Sequence, residues 1–535
     1  MIHAVELENF KGVGGALRPR HGLTTGGERA RGSAPGGGKP GAEEPPDGVK
    51  KHPRRLRVEL APVTLLFGAN NAGKSTILQA LLYVLEVLQH GHPDVDRTEL
   101  GGDIVDLGGF LRLVHRHELN RTLAVRVEFD TPGSLNVFER KLPGAIDDID
   151  DRVDAAWLEL QVAAMDASIP LVDCVLVGTH DDPSPVLELR AVRPGPLREG
   201  DPILATLNLA HPLLSPSEEF IVGKLSDGAY EESPGRLTVA ISRGVRDSIV
   251  PALDEPVRVL AYDGPMLPLM GPEFLERPQN VAAALIELLG PGVIRQLVAA
   301  LRSTLYVGPL RAIPPRGFLR ERAQRTTRWA DGLAAWDALL GDEQGLVDET
   351  NSWLERLGAG CRVEVQTLVD PSASAESVSA HEATVRRLLL DVGTGAPVLP
   401  CEVGAGISQV VPIVVAALER SRRRLALIEQ PELHIHPALQ VGLGDLFIEA
   451  SASRQFLIET HSEHLVLRLL RRIRETHDGE LPEGAPSFTP EQLSIVYVEN
   501  VEGAVRAQRL RVADKGDFID RWPNGFFEER LREVF

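Results

Sequence analysis

The stretch at positions 65–76, LLFGANNAGKST, limits the possible folds of this chain more than any other. It contains the pattern G-x-x-x-x-G-K-[ST], whose glycines allow backbone N–H groups to surround phosphate oxygens at the start of a helix. In this pattern the lysine contacts the β- and γ-phosphates, and the hydroxyl that follows it is a Mg²⁺ ligand. The residues predicted to surround the phosphates of a ligand are Gly68, Asn70, Asn71, Ala72, Gly73, Lys74, Ser75 and Thr76.

The flanking sequence favours a phosphate-binding loop over a glycine-rich turn that only joins two elements. Val63–Phe67 is a short apolar run of the buried-strand type, and apolar residues recur at helical spacing from Ile77 to Leu88. We expect this helix to end near His90, because Gly91 follows. The order of strand, loop and helix is the context that the pattern requires.

Length and composition exclude several classes of protein. A chain of 535 residues is too long for one compact core, so two or three units are expected. The longest apolar run, Val410–Leu418, is far shorter than the ~20 residues that cross a bilayer, and Met1–Asn9 lacks the regions of a signal peptide. We therefore predict a cytoplasmic protein without a membrane partner. Cys174, Cys361 and Cys401 are far apart, so no structural disulfide or zinc site is expected.

The net charge of −19 argues against extensive wrapping of nucleic acid, since an acidic surface repels the phosphate backbone. Arginines nevertheless cluster at several places. We interpret these clusters as solvated faces in preference to nucleic-acid contacts. They comprise Arg54, Arg55 and Arg57; Arg316, Arg320, Arg322, Arg325 and Arg328; Arg422 to Arg424; and Arg468, Arg471, Arg472 and Arg474.

The first half of the chain changes its pattern twice. Ile2–Phe10 is predicted as a strand, and residues 20–53 are so rich in glycine, proline and charge that we expect a looped or disordered insertion. Alternating apolar residues between Arg121 and Ile241 predict an antiparallel β region. Helical patterns follow at Gln279–Leu289 and Val293–Thr304. This region contains no sustained heptad repeat, so we expect no coiled-coil arm.

In the second half, strands alternate with helices and polar residues follow the strand ends. Leu425–Ile428 is wholly apolar and leads to Glu429, and Gln455–Ile458 leads to Glu459. A second glycine loop, Glu402–Gln409, precedes an apolar helix. Functional residues at strand ends are typical of a doubly wound α/β sheet.

With these motifs in order, the chain resembles the ABC-type branch of P-loop ATPases, and within it the overcoming-lysogenization-defect (OLD)-like ATPases of bacterial defence systems. The resemblance rests on NFK at 9–11, the phosphate loop, YVGPLR at 306–311, the loop at 402–409, IEQPELHIHP at 428–437 and IETHSEH at 458–464. It implies an α/β fold with an ABC-type P-loop NTPase head formed by residues 1–118 and 306–500. We expect a mainly antiparallel β plus helical region to be inserted at 119–305, and a tail at 501–535 to pack on the ATPase or on a partner.

The resemblance also implies roles for individual residues. Glu429 resembles the Walker B acid that holds Mg²⁺, and His461 resembles the switch histidine that senses the γ-phosphate. A signature loop in this superfamily contacts the γ-phosphate of the nucleotide bound to the opposite subunit. A homodimer, or a higher homo-oligomer, would thus enclose two ATP molecules. The residues that resemble this loop are Gly404, Gly406, Ser408 and Gln409.

One departure concerns hydrolysis. The residue after the Walker B acid is usually a glutamate that activates water, but here it is Gln430. An amide orients water but does not accept its proton at neutral pH, so we expect slow hydrolysis or a long-lived ATP-bound dimer. Glu432 and Glu459 are both candidates for the base, and the sequence leaves this choice open. We interpret His434 and His436 as residues with a role in structure or in packing of a dimer loop, in preference to metal ligands.

Two further departures limit the resemblance. There is no glutamine between His90 and Leu160, so the Q-loop glutamine is missing. The sequence after Glu499 is shorter than the roughly one hundred residues that a Toprim nuclease domain requires. We therefore expect no nuclease domain in this sequence and a separate effector protein, a nuclease or a toxin.

Three functions are weighed. The first is the sensor or motor ATPase of an antiphage defence system, and the defence role rests on the resemblance alone. The second is a DNA-maintenance ATPase similar to recombination mediators, which would clamp DNA with arginine-bearing faces. The third is the ATP-hydrolysing subunit of a transporter. The long β insertion and the missing Q-loop glutamine count against this third function.

Overall fold

A computed structural model describes residues 1–14, 55–97, 101–136, 138, 144–165, 169–192, 201–214, 235–242, 248–261, 278–318, 327–341, 345–369, 384–419 and 424–523. The insertion predicted at 20–53 lies outside the described residues. The strands are β1 (Ile2–Glu8), β2 (Leu56–Glu59), β3 (Val63–Phe67), β4 (Leu123–Asp130), β5 (Ala155–Met165), β6 (Ile169–Thr179), β7 (Leu187–Ala191), β8 (Ile203–Asn208), β9 (Arg236–Ile241), β10 (Val259–Ala261), β11 (Thr304–Val307), β12 (Arg362–Val369), β13 (Thr384–Asp391), β14 (Leu425–Glu429), β15 (Gln455–Glu459), β16 (Leu493–Val501) and β17 (Ala504–Leu510).

The helices of the described residues follow the same chain order. A π-helical turn, Leu288–Gly292, joins the fourth helix to the fifth. The helices are α1 (Lys74–His90), α2 (Phe110–Leu113), α3 (Gly144–Asp150), α4 (Pro278–Glu287), α5 (Val293–Arg302), α6 (Thr327–Ala330), α7 (Leu333–Leu340), α8 (Leu346–Leu357), α9 (Ala405–Leu418), α10 (Pro437–Ala450) and α11 (Glu463–Asp478).

One sheet contains nine of the described strands, in the order β10-β9-β8-β7-β6-β5-β4-β1-β2, and all its pairings are antiparallel. Strand β1 pairs with both β2 and β4. The boundary predicted at residue 118 therefore does not separate two sheets. The strands before the phosphate loop and those of the predicted insertion form one continuous sheet. Strand β8 alternates buried and half-buried residues and lies within the antiparallel region predicted between Arg121 and Ile241.

The second sheet has the order β11-β14-β15-β3-β16-β17. Its first five strands are parallel, and only β16 and β17 pair in an antiparallel manner. The carboxyl ends of β3, β14 and β15 therefore meet at one edge of the sheet. Strand β17 extends this sheet beyond the boundary predicted at residue 500. The start of the predicted tail is thus part of the sheet.

The two sheets share a core that contains α1. On β3, Leu66 belongs to the cluster that includes α1 and the nine-stranded sheet, whereas Val63, Leu65 and Phe67 face the other side. This alternation is the period of two of a strand whose faces are both covered. Helices α6 to α11 contribute to the cluster on that other side. Helix α1 is consequently held between two sheets, which fixes the loop that precedes it.

The α/β fold class predicted from the sequence is confirmed by this topology, which combines a mainly parallel sheet with a large antiparallel sheet. Gly332, which adopts a left-handed φ of 78°, separates α6 from α7. Strands β2 and β3 follow each other along the chain but belong to different sheets.

One helical stretch in the described residues, Asn280–Arg302, is long and apolar enough to cross a membrane by length and composition. Its most apolar window is 83% buried inside the protein. It includes α4 and α5, and α5 packs against α1 and β5. The apolar character of this stretch thus serves packing within the core.

The described part of the tail packs on the parallel sheet. The Trp522 ring lies 5.5 Å from the Phe67 ring and 6.4 Å from the Tyr497 ring, both in edge-to-face geometry. Phe518 adds a third edge-to-face contact at 5.1 Å. These rings cover the face opposite α1. Residues 524–535, which complete the predicted tail, lie outside the described residues.

Candidate functional site

The loop between β3 and α1 requires glycine at two positions. Gly68 has a φ of 145°, and a Cβ there would lie 1.9 Å from the carbonyl oxygen of Val498. Gly73 has a φ of 104°, and its Cβ would lie 2.7 Å from a methyl group of Val505. Backbone of this kind is accessible to glycine and strained for other residues. The two glycines of the pattern therefore set the loop's close approach to β16 and β17.

Lys74 begins α1 and folds back on the loop. Its Nζ donates to the carbonyl oxygens of Gly68 at 3.0 Å and Ala69 at 2.9 Å, and it lies 3.6 Å from Oε1 of Glu459. Burial lowers the pKa of Lys74, and the Glu459 carboxylate opposes this effect. The ammonium group is therefore held inside the loop, where phosphate oxygens could replace the two carbonyls as its acceptors.

Two buried carboxylates stand side by side at the ends of β14 and β15. Glu429 and Glu459 are direct partners in the parallel register. The Tyr306 hydroxyl donates to Glu429 at 2.7 Å, and the Ser75 hydroxyl donates to Glu459 at 2.6 Å. Burial raises the pKa of Glu429 to about 7, and the charge of Glu459 acts in the same direction. Two like charges this close favour a bound cation.

These groups line a cavity of about 660 Å³. The cavity joins segments that are far apart in the sequence, since it contains the phosphate loop and the ends of β14 and β15. Asn70 and Asn71 are exposed beside it, whereas Ala72 is buried. The lining residues are Lys11, Asn70, Asn71, Ala72, Gly73, Lys74, Ser75, Thr76, Gln79, Glu429, Gln430 and Glu459.

Lys11 and Gln79 line the cavity but were assigned no role from the sequence. The Lys11 ammonium donates to the Gln79 side-chain oxygen. Burial lowers the pKa of Lys11, and the Glu429 carboxylate opposes this. Gln79 lies four residues after Ser75, so helical spacing alone could have placed it on the same face. Lys11 lies in the NFK motif, but no local signal there indicates a side chain directed at the cavity.

The three candidates for water activation occupy different places. Gln430 lines the cavity with a left-handed φ of 44°, and its N–H donates to the Glu459 carbonyl at 2.7 Å. Glu432 is not among the described lining residues. Its carboxylate accepts from the Thr460 hydroxyl at 2.8 Å and from the His461 N–H at 2.6 Å. Glu432 thus positions Thr460 and His461, while Gln430 and Glu459 face the cavity.

His461, like Glu432, is not among the described residues that line the cavity. Its Nε2 is buried and has no hydrogen-bond partner within the described part of the chain. Burial lowers the pKa of His461, and the charge of Lys74 adds to this effect. The imidazole is therefore neutral at pH 7 and keeps one unused ring nitrogen.

The second glycine loop lies at the start of α9, outside the lining of the cavity. Gly404 is exposed, and no side chain caps the helix there. The Ser408 hydroxyl donates to the Pro400 carbonyl at 3.4 Å, and both Ser408 and Gln409 are buried. These two side chains lie against their own subunit, and Gly404, Gly406, Ser408 and Gln409 all stay predicted contacts.

Arg311 connects the end of β14 to α9. Its Nη2 donates to the carbonyl oxygens of Glu429 and Gln430, both at 2.8 Å. The Gln409 side chain donates to the Arg311 carbonyl at 2.7 Å. Burial lowers the pKa of Arg311 to about 10, so it stays charged at pH 7. The YVGPLR motif contains this arginine, but its partners lie about a hundred residues away, beyond any local signal.

His434 and His436 have structural positions. His436 caps α10, because its Nδ1 accepts from the Ala438 N–H at 3.2 Å. His434 has a φ of 61°, and its carbonyl oxygen would lie 2.9 Å from a Cβ at Gly406. Neither belongs to the one group with metal-ligand separations found in the described residues, which is Glu86, His90 and Asp103.

Several clustered arginines pair with carboxylates of the same chain, and the interpretation of the clusters as solvated faces stays a prediction. Arg54, Arg320, Arg322, Arg325, Arg422 and Arg423 lie outside the described residues. The described ion pairs include Arg55 with Glu159 (2.7 Å), Arg57 with Glu6 (2.6 Å), Arg316 with Glu402 (2.7 Å), Arg328 with Asp337 (3.2 Å), Arg471 with Glu475 (2.6 Å) and Arg472 with Asp445 (2.7 Å).

Two family models match parts of this chain. The model described as an AAA ATPase domain matches residues 367–466. The model described as an AAA domain, putative AbiEii toxin, Type IV TA system, matches residues 63–115. These spans contain the phosphate loop, the second glycine loop, Glu429 and His461. The chain thus carries AAA-type ATPase segments. A comparison with curated proteins gives no match.

Among solved structures, SMC head domains are similar to this chain. An Smc head bound to the C-winged helix domain of ScpA has 11% identity and a TM-score of 0.40, covering 95% of this chain and 97% of that one. The SMC head domain from Thermotoga maritima has 9% identity and a TM-score of 0.36, covering 96% and 99%. An Smc head with an extended coiled coil, bound to the C-terminal domain of ScpA derived from Pyrococcus furiosus, has 10% identity and a TM-score of 0.38, covering 100% and 98%.

Proposed function

We propose that this chain is a Mg²⁺-dependent ATPase of ABC type that binds ATP at the phosphate loop and encloses it between two copies of itself. The observation that carries the proposal is the 660 Å³ cavity, in which a glycine loop, a lysine, a hydroxyl and two carboxylates meet at the carboxyl edge of a parallel sheet. This is the edge at which α/β sheets bind their ligands.

The loop and the start of α1 supply the anion-binding part. No side chain caps α1 at Gly73, so the first N–H groups of the helix stay available for phosphate oxygens. Lys74 adds a positive charge at the same place. Its ammonium group would donate to phosphate oxygens in place of the Gly68 and Ala69 carbonyl oxygens. We propose that Asn70 to Thr76 surround the phosphates.

The donor set fits Mg²⁺, which prefers hard oxygen ligands and commonly takes one or two carboxylates together with phosphates. Ser75 and Glu429 would hold the ion, and it would neutralise charge on the β- and γ-phosphates. The Tyr306 hydroxyl fixes the Glu429 carboxylate through a bond of 2.7 Å. Tyr306 is thus a positioning residue for this proposed site.

The second glycine loop supports the dimer. Helix α9 begins at an exposed glycine without a side-chain cap and lies outside the cavity lining of its own subunit. A helix start of this kind binds anions. We propose that Gly404 and Gly406 contact the γ-phosphate bound by the opposite subunit. Gln430 orients water without taking its proton, so ATP-bound dimers are expected to be long-lived.

The biological role proposed is that of a cytoplasmic sensor or motor component of a bacterial antiphage defence system, whose effector is a separate nuclease or toxin. This part rests on the family resemblance. The alternative, a DNA-maintenance ATPase similar to recombination mediators, is less favoured because several clustered arginines are ion-paired within the chain and the net charge is −19.

Equilibrium binding of fluorescent ATP by the purified protein, with and without Mg²⁺, tests the proposal. We expect saturable binding that Mg²⁺ strengthens and slow release of phosphate. Absence of ATP binding would contradict the proposed function. ATP-dependent binding of DNA that weakens steeply with salt would favour the alternative.

A further inference from the structure

Gln430 places an amide beside Glu429, yet the cavity contains a second carboxylate, that of Glu459. We infer that Glu459 holds Mg²⁺ together with Ser75 and Glu429. The inference rests on the proposed function, because it assigns a residue to the same ATP site. It also distinguishes Glu459 from Glu432, the two residues that the sequence leaves open as candidates for the base, because only Glu459 is assigned to the metal site.

The sheet order brings Glu459 to this position. Strand β15 lies between β14 and β3, and Glu459 is the direct partner of Glu429 in the register. Neighbouring strands lie about 4.8 Å apart, so the two carboxylates leave adjacent strand ends. Helix α1 follows β3 and carries Ser75 on the other side of Glu459. Three neighbouring elements thus direct oxygen atoms to one place.

The hydrogen bond between Ser75 and Glu459 gives the chemical reason. The Ser75 hydroxyl donates to Oε2 of Glu459 at 2.6 Å. A hydroxyl that ligates a cation through a lone pair must direct its proton to an acceptor. Glu459 is that acceptor, and it lies within the reach of an ion bound to the same hydroxyl. Oxygen ligands of this kind suit Mg²⁺.

Charge balance leads to the same assignment. In the structure Glu459 has a cationic neighbour, Lys74, at 3.6 Å. Once Lys74 turns to the phosphates of ATP, Glu459 and Glu429 face those phosphates as like charges. A divalent cation removes this repulsion, and the two carboxylates attract it. The assignment therefore predicts that Glu459 weakens metal-free ATP binding and strengthens metal binding.

Glu432 supplies a matched comparison. Both of its oxygens already accept hydrogen bonds, from the Thr460 hydroxyl and the His461 N–H. It is half-buried with its carboxylate directed at Thr460 and His461, and it is not among the described lining residues. Removing its charge should leave the metal site unchanged.

The experiment measures Mn²⁺ binding by electron paramagnetic resonance in the ATP-loaded full chain, and ATP affinity in the presence of EDTA. For Glu459→Gln we expect Mn²⁺ affinity to fall about tenfold or more, while metal-free ATP affinity rises. Glu459→Asp, which keeps the charge, should retain more Mn²⁺ affinity than Glu459→Gln. Glu432→Gln should keep the Mn²⁺ affinity of the wild type.

Three results would overturn the assignment. Wild-type Mn²⁺ affinity in Glu459→Gln with turnover lost would make Glu459 a proton acceptor instead. A fall in ATP affinity both with and without metal would make its role structural. Equal losses of Mn²⁺ affinity in Glu459→Gln and Glu432→Gln would remove the distinction between them. A wild-type protein that binds no ATP would instead contradict the proposed function itself.

Discussion

The two glycine loops of this protein both precede a helix, but their surroundings differ. The loop before α1 opens into a cavity that already contains a lysine, a hydroxyl and two carboxylates of the same chain. The loop before α9 starts at exposed Gly404, and Ser408 and Gln409 turn into the core. Neither helix start has a side-chain cap. The proposed site at the first loop therefore combines several groups of one chain, whereas the second loop offers backbone N–H groups at an uncapped helix start.

The largest effect is expected from Lys74→Ala, which should reduce ATP affinity by about 100-fold or more. The lysine is buried beside Glu459, so its removal leaves carboxylates to face the phosphates without a cation. Fluorescent-nucleotide titration measures this change. If the variant retains wild-type affinity, the first loop is not the ATP site.

The next effect concerns the second loop. Gly404 has an extended backbone, and a Cβ there would meet nothing within 4 Å. Gly404→Asp should therefore fold normally, and an aspartate at this position even caps the helix. Its charge would repel the phosphate of the opposite subunit, so ATP-dependent dimerisation should weaken by about 30-fold.

Two controls sharpen this result. Gly404→Asn has nearly the same shape without the charge and should dimerise better than Gly404→Asp. ATP affinity of the monomer should be equal in both variants, because the first loop is unchanged. Wild-type dimerisation of Gly404→Asp would show that the second loop does not meet a phosphate.

A smaller effect is expected from Gln430→Glu. A carboxylate at this lining position accepts the proton of the attacking water, so ATP turnover should rise by about tenfold. The rate of phosphate release, measured at saturating ATP, checks this. Gln430→Asn serves as the control, since it keeps an amide and should not accelerate hydrolysis. An unchanged rate in Gln430→Glu would remove the role assigned to this residue.

The smallest effect is a pH dependence of metal binding at the first loop. Burial raises the pKa of Glu429 to about 7, so below pH 7 a proton competes with the ion for this carboxylate. Mg²⁺ affinity should be about fivefold weaker at pH 6 than at pH 7. Calorimetric titration with ATP bound measures it, and Glu429→Gln should bind Mg²⁺ weakly at both values. A Mg²⁺ affinity that does not change with pH would show that Glu429 is not a ligand of the ion.

The first loop could be predicted from the sequence because its signals are local. Gly68 to Ser75 lie within one short segment, and the apolar strand and helix on either side give the required context. The acids at the ends of β14 and β15 could be predicted for a related reason. A short apolar run that ends in a carboxylate is typical of a parallel strand whose end reaches the ligand edge.

Other features depend on contacts between distant residues. Pairing of Ile2 with Phe129 joins β1 to the antiparallel sheet, and no local pattern indicates it. Tyr306 reaches Glu429, and Arg311 reaches both Glu429 and Gln430, across more than a hundred residues. The inward rotation of Ser408 is set by packing of α9 against its neighbours, which the glycine pattern does not encode.

The most direct test of the composite site is sedimentation of the wild-type protein with Mg²⁺ and a fluorescent ATP analogue, followed by the absorbance of the nucleotide. The chain has a mass of 58.2 kDa. We predict that bound nucleotide sediments with a particle of about twice this mass, and that without nucleotide the protein sediments as a single chain. Nucleotide that sediments with the single chain at saturating concentration would contradict the account, because the second loop would then have no phosphate to meet.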